Sequence, residues 1–276
     1  MAKNKNKGDE MSFLDHLEEL RWLLVRSFVA IIIGGCIAFA FSGFIFDNII
    51  FAPKKSDFIT YRFFCDLANK YDLDKSFCVT EIPFELISRD MEGQLNTDIW
   101  TSVTAGFIIV FPYILYLLWR FISPALYEKE RKMAVGFIFT TSILFFLGIL
   151  FGYFLIVPLS INFLANYRIS AVVENNIDVE SYLSLIKTTV IACGLVFEMP
   201  IIIYFLAKLG LVSAAFLRKY RRYALVIILI VAAIVTPPDV ISQTIVTIPL
   251  VILYEASILI AARIDRIRAK ELTTTS

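Results

Sequence analysis

Carboxylates are the groups with which this sequence could do chemistry, because the usual catalytic and metal-binding residues are scarce. There is one histidine, His16, and four cysteines, Cys36, Cys65, Cys78 and Cys193, with no C-x-x-C or H-x-x-x-H spacing. Zinc, thiol-redox and nucleophile–histidine chemistry therefore lack a matched ligand set, and neither a metal nor another cofactor is expected. Asp15, Glu18 and Glu19 fall in one short stretch, with Asp15 and Glu19 one helical turn apart. At a membrane surface poor in bulk water such carboxylates can receive a cation; in open water they form an ordinary solvated face. Glu130 lies in a second charged stretch, Glu128-Lys129-Glu130-Arg131-Lys132. Its own neighbours can neutralise it, or it can join Glu19 in a site made from two distant segments.

Three further polar residues fall inside long apolar runs. Glu198 and Glu255 each carry a charge that costs several kcal/mol within a membrane unless it is paired, hydrated or neutralised. Glu198 precedes Pro200, whose missing N–H frees a carbonyl and invites polar company; Glu255 has Arg263 or another interfacial cation as a partner. Gln243 is cheaper to bury. It suits a hydrogen bond between helices, either within this chain or to a partner's membrane helix.

These residues must be positioned by membrane-crossing helices. Hydrophobic residues make up 58% of the 276, above the roughly 45–50% of a soluble globular chain. A crossing needs about 20 apolar residues. Six runs are read as spans: Trp22 to Phe46, Ile99 to Ile122, Met133 to Val157, Leu183 to Leu206, Tyr223 to Val235 and Val240 to Ala262. The fifth is short, rising only about 20 Å as a helix, and spans where Arg221 and Arg222 snorkel or the bilayer thins. Prolines 112, 158, 200, 237, 238 and 249 punctuate every span but the first, predicting bent helices and a concave body. Residues 1–10 and 271–276 read as disordered cytoplasmic tails flanking a membrane domain over 11–270. No cleavable signal peptide is visible.

Lysines and arginines balance acids to a net charge of +1, so no global field recruits nucleic acid. Their placement is uneven. With this set of spans, eighteen of the 26 precede or open the first (Arg26 included), end the second (Arg120) or lie between it and the third, fall between the fourth and fifth, or follow the last. Cytoplasmic loops collect cations, so both termini are expected inside. The loop 52–98 then lies outside and holds Cys65 and Cys78. In an oxidising compartment these two can pair; otherwise they are separate buried thiols.

Taken together, several segments resemble TatC, the central membrane component of the twin-arginine protein translocase. They are His16-Leu17-Glu18-Glu19-Leu20-Arg21, Phe121-Ile122-Ser123-Pro124-Ala125-Leu126-Tyr127 through Glu130-Arg131, Phe197-Glu198-Met199-Pro200, Leu217-Arg218-Lys219-Tyr220-Arg221-Arg222-Tyr223, and Thr236-Pro237-Pro238-Asp239 with Ser242-Gln243. The resemblance implies an all-α, glove-shaped bundle of six transmembrane helices, the last two short, in the bacterial cytoplasmic membrane. It implies that Glu19 and Glu130 receive the arginine pair of a signal peptide, with Phe121 in the same region, and that Glu198 faces a concave groove. Gln243 matches a docking position for the single helix of a TatA- or TatB-type partner in a multimeric complex, and Asp239 lies in a tight outer turn. It further implies transport of folded precursors driven by the proton-motive force, without a cofactor or hydrolytic site. The outer loop is longer than the family's usual first loop.

Two other classes compete. An ion-coupled transporter would use Glu198 as its proton site. An intramembrane protease would need a nucleophile matched to His16, and none is evident.

Overall fold

Hydrocarbon offers the backbone no hydrogen bonds, so a chain this apolar must satisfy its own peptide groups in helices. The computed structural model describes residues 13–71, 78, 82–123, 134–170, 175–236 and 240–274. Among them, five helices are long and apolar enough to cross a membrane: His16–Ala40, Gly93–Ile122, Gly136–Asn166, Val179–Lys208 and Ser242–Arg268. The expected fifth span is the helix Arg221–Val235, whose 15 residues rise only about 22 Å. Two compact units emerge, Met1–Ala40 with Ser102–Ser142, and Phe41–Thr101 with Ile143–Ser276.

The first unit is built on α1 (Phe13–Ala40) and the later part of α3 (Gly93–Ile122). Their backbones touch at glycines. A Cβ on Gly106 would stand 2.7 Å from the Gly34 carbonyl carbon and 2.8 Å from the Gly35 Cα, so no side chain fits there. At the far end of α3, buried Trp119 stacks on Phe137 of α4 (Ala134–Phe151) with ring centroids 4.6 Å apart.

The second unit contains the stretch 52–98, the long loop between the first two spans. It holds α2 (Ile59–Tyr71), and Cys65 is joined to Cys78 by a disulfide with the Cα atoms 4.5 Å apart. A short strand β1 (Glu85–Ile87) pairs in parallel with β2 (Asn176–Asp178), Leu86 opposite Ile177. The all-α architecture thus carries one two-stranded ribbon, which ties the loop to the segment before α6 (Val179–Phe197).

Two prolines explain why the loop seats where it does. Pro158 begins α5 (Val157–Asn166) after a π-helical turn, Gly152–Ile156, and cannot donate to the Phe154 carbonyl four residues back. The Thr60 hydroxyl donates to that carbonyl instead. Pro53 follows another π-turn, Ile45–Ile50, and likewise has no N–H for the Ile49 carbonyl, which accepts from the Tyr153 hydroxyl at 2.6 Å. Tyr182 donates to the Ile50 carbonyl at 3.0 Å, and Tyr61 reaches the carbonyls of Pro53 and Pro158 at 3.1 and 2.9 Å. Burial pushes the Tyr61 phenol above its ordinary range and keeps it a donor.

The fourth span breaks at Glu198. There α6 ends and α7 (Met199–Lys208) begins, with Pro200 in its first turn, where an absent N–H does no harm. Pro112 and Pro249, by contrast, sit inside helices that continue through them.

Beyond α8 (Ala214–Lys219) and α9 (Arg221–Val235) comes α10, Val240–Thr274, at 35 residues. Two expectations are corrected here. The last helix is long, not short, and the tail expected from 271 is helical through Thr274, because 263–272 is rich in strong helix formers with no breaker. The extension also makes contacts: Asp265 accepts from the Ala214 N–H at 2.9 Å, capping the start of α8.

Candidate functional site

A groove of about 340 Å³ on the first unit is lined by Glu18, Glu19, Trp22, Arg26 and Leu23 of α1, and by Leu117, Arg120 and Phe121 of α3. Helical spacing assembles it. Positions 19, 22, 23 and 26 recur at i, i+3, i+4 and i+7, and 117, 120 and 121 at i, i+3 and i+4, so each set shares one face. The groove unites Glu19 and Phe121. Glu130 and Asp239, the other residues expected in the site and the outer turn, lie outside the described residues.

Phe121 is held from its partner helix. The His16 ring stacks on it with centroids 4.3 Å apart and planes 17° from parallel. His16, for which the sequence offers no matched nucleophile, is an aromatic brace that fixes the apolar wall beside Glu19. The Ser123 hydroxyl, donating to the Arg120 carbonyl at 3.3 Å, closes the last turn of α3.

Charge in the groove is mixed. Arg26 and Arg120 stand with Glu18 and Glu19, and the Arg26 guanidinium lies 5.9 Å from the centre of the Trp22 ring. Among the described residues, neither glutamate forms an ion pair with either arginine. Sequence reading counted these arginines only as topology markers; the signal that could have placed Arg26 in the site is its i+7 spacing from Glu19.

The intramembrane polar residues belong to the second unit. Glu198 is 7% exposed, and among the described residues neither of its carboxyl oxygens has a hydrogen-bond partner. It adjoins Phe197, part of an apolar core with Ile203, Ala207, Val246 and Leu250. Glu255 differs: it pairs with Arg221 at 2.8 Å, both side chains nearly half exposed. A partner was expected and is Arg221, not the Arg263 first considered. Gln243 is half-buried and its amide reaches the Leu229 carbonyl at only 3.4 Å, a long bond from α10 to α9.

Long apolar helices, a charged groove and a buried carboxyl at a helix break define a polytopic α-helical membrane protein. The family follows from comparison. The model of the Sec-independent protein translocase protein (TatC) family matches residues 15–249. A TatC protein of Blattabacterium sp. subsp. Periplaneta americana is 44% identical over 263 residues, covering 95% of this chain and 99% of that protein. The TatC protein of Aquifex aeolicus is 35% identical over 263 residues, with the same coverage. A crystal structure of the twin arginine translocase receptor TatC superposes with a TM-score of 0.67 at 35% identity, covering 89% of this chain and 97% of that one. The chain belongs to the TatC family of Sec-independent protein translocase proteins.

Proposed function

We propose that this protein is the receptor subunit of a twin-arginine translocase, binding the arginine pair of a signal peptide in the groove beside Glu19 and Phe121. The observation that carries the reading is the convergence of these two residues, far apart in sequence, on one groove of a TatC-family chain. Relatives described as a twin arginine translocase receptor support it. Arginine suits the site because its planar guanidinium binds a carboxylate through paired hydrogen bonds and keeps its charge, whereas lysine offers a point charge. Glu130 supplies the second carboxylate.

In this reading the protein sits in the bacterial cytoplasmic membrane with both termini inside. It assembles with TatA- and TatB-type single-span partners and passes folded precursors outward at the expense of the proton-motive force. Gln243 is the docking position for a partner helix: its long bond to Leu229 leaves the amide with capacity for another partner.

Binding of labelled signal peptides to purified protein tests the receptor role. Twin-arginine peptides bind more tightly than twin-lysine ones, and Glu19→Gln weakens binding by roughly tenfold or more, since one charge-assisted hydrogen bond contributes about 1.5–3 kcal/mol. Equal affinity for both peptides would remove the assignment. The Glu198 carboxyl, without a hydrogen-bond partner among the described residues, favours one competing reading, an ion-coupled transporter. That reading requires solute-dependent proton flux through the chain alone in liposomes.

A further inference from the structure

Where α8 passes into α9, the residues sort into three stripes. Ala214, Leu217 and Ile228 are buried, and their stripe is fastened to α10: the Tyr254 hydroxyl donates to the Leu217 carbonyl at 2.9 Å, and Arg221 pairs with Glu255. Phe216, Tyr220 and Tyr223 form an exposed ladder with successive ring centroids 4.5 and 5.9 Å apart. Arg218, Lys219 and Arg222, at i, i+1 and i+4, make an exposed cationic stripe next to it, with the Lys219 ammonium 5.9 Å from the centre of the Tyr220 ring.

Both exposed stripes turn apolar along α9. Ile227, Ile230 and Ile234 continue the line of Tyr223, and Val226 continues that of Arg222, each of them more than half exposed. From Tyr223 to Ile234 the helix rises about 16 Å, close to half of a hydrocarbon core about 30 Å thick. That is the depth of one leaflet. Tyrosine rings settle at the boundary between hydrocarbon and headgroups, so Tyr220 and Tyr223 put the three cations at headgroup level.

Acids on the packed elements are already engaged. Glu255 is held by Arg221, and Asp265 accepts from the Ala214 N–H. Among the described residues, no ion pair joins Arg218, Lys219 or Arg222 to a carboxylate. Lys270 and Glu271, further along the sequence, add no net charge. Three cations beside a lipid-facing stripe match a headgroup of net negative charge; a zwitterionic headgroup would bring a cation of its own.

We propose that Arg218, Lys219 and Arg222 bind the phosphate of an anionic phospholipid whose acyl chains lie along the exposed stripe of α9. This site requires only that α9 lie in a bilayer, and signal-peptide affinity plays no part in its test.

The test is native mass spectrometry of the full-length protein in detergent, titrated with phosphatidylglycerol or with phosphatidylcholine of the same acyl chains. Wild type retains phosphatidylglycerol about tenfold more tightly, the size of one charge-assisted hydrogen bond. The double variant Arg218→Gln with Arg222→Gln abolishes that preference. Lys55→Gln, which removes an exposed cation from the loop 52–98, keeps it. Tyr223→Ala weakens both lipids alike. Arg222→Lys, which preserves the charge, retains most of the preference, and an unchanged thermal midpoint in phosphatidylcholine nanodiscs reports that each variant is folded.

Equal retention of both lipids by wild type overturns the inference and leaves the cations to an acidic segment of a protein partner. A phosphatidylglycerol preference that survives the double variant also overturns it, because the lipid then binds elsewhere. Free glycerophosphate, which shares the headgroup chemistry but has no acyl chains, is expected not to displace phosphatidylglycerol at equal concentration. Displacement would make this a general phosphate site and remove the role given to the stripe on α9.

Discussion

The Tyr153 hydroxyl donates to the Ile49 carbonyl at 2.6 Å, a carbonyl that Pro53, four residues on, has no N–H to satisfy. The converse occurs nearby: the Thr60 hydroxyl serves the Phe154 carbonyl, left free by Pro158. Each proline-disrupted turn is thus completed by a side chain from the other part of the second unit. The seating of the loop 52–98 is a consequence of where the prolines fall.

Removing one of these donors leaves a carbonyl without its partner, at a cost of about 1–3 kcal/mol. Tyr153→Phe and Thr60→Val are each expected to lower the thermal stability of the detergent-solubilised protein. The decisive comparison is a cycle with Pro158→Ala, which restores the backbone donor. In that background Thr60→Val costs less than in wild type. Additive effects would show that the hydroxyl does not replace the missing N–H.

The close approach of α1 and α3 is equally specific. Gly106→Ala forces a methyl onto the Gly34 and Gly35 backbone and is expected to destabilise by about 1–3 kcal/mol, as overpacking does. Gly136→Ala, at a helix position with open space, is the control and should leave stability within about 0.5 kcal/mol of wild type. Because α1 and α3 supply the groove, Gly106→Leu should also weaken twin-arginine peptide binding. Retained binding would mean the groove tolerates a shift of the two helices.

Apolar runs and proline positions made most of the helices legible in advance. What the sequence hid was governed by tertiary partners. Residues 85–87 are too short to announce a strand and become one only because 176–178 lies alongside. The length of α10 was missed because hydropathy fades after Ala262 while helix propensity does not, and Asp265 finds a backbone donor in Ala214. In the groove, Glu19 and Phe121 were legible by their motifs. Arg26 and Arg120 were not, since a cation near a membrane boundary reads first as a topology signal. The role of His16 was hidden too: the sequence shows it without a matched nucleophile, and only the facing Phe121 ring reveals it as a stacking group.

The disulfide gives a third prediction. Joining Cys65 to Cys78, thirteen residues apart, restricts the unfolded loop and should stabilise it by about 2–3 kcal/mol. Peptide mass spectrometry without reduction, on membranes quenched with a fast alkylating agent, is expected to yield one linked peptide containing both cysteines. Cys36 and Cys193 should be recovered as thiols. Recovery of Cys65 and Cys78 as alkylated thiols would mean the loop folds without the bond.

Glu198 separates stability from function. A buried carboxyl without a protein partner among the described residues is a poor choice for packing, so Glu198→Met should leave the fold intact and raise its thermal midpoint. If the group is retained for transport, the same substitution abolishes export while signal-peptide affinity stays within about twofold of wild type, because the groove belongs to the other unit. Glu198→Gln keeps the shape and a polar group but cannot exchange a proton. Export by Glu198→Gln at the wild-type rate would assign the role to polarity alone, whereas a loss equal to that of Glu198→Met would assign it to the ionisable carboxyl. Normal export by both variants, measured as processed substrate per unit time in membrane vesicles, would leave Glu198 without a part in transport.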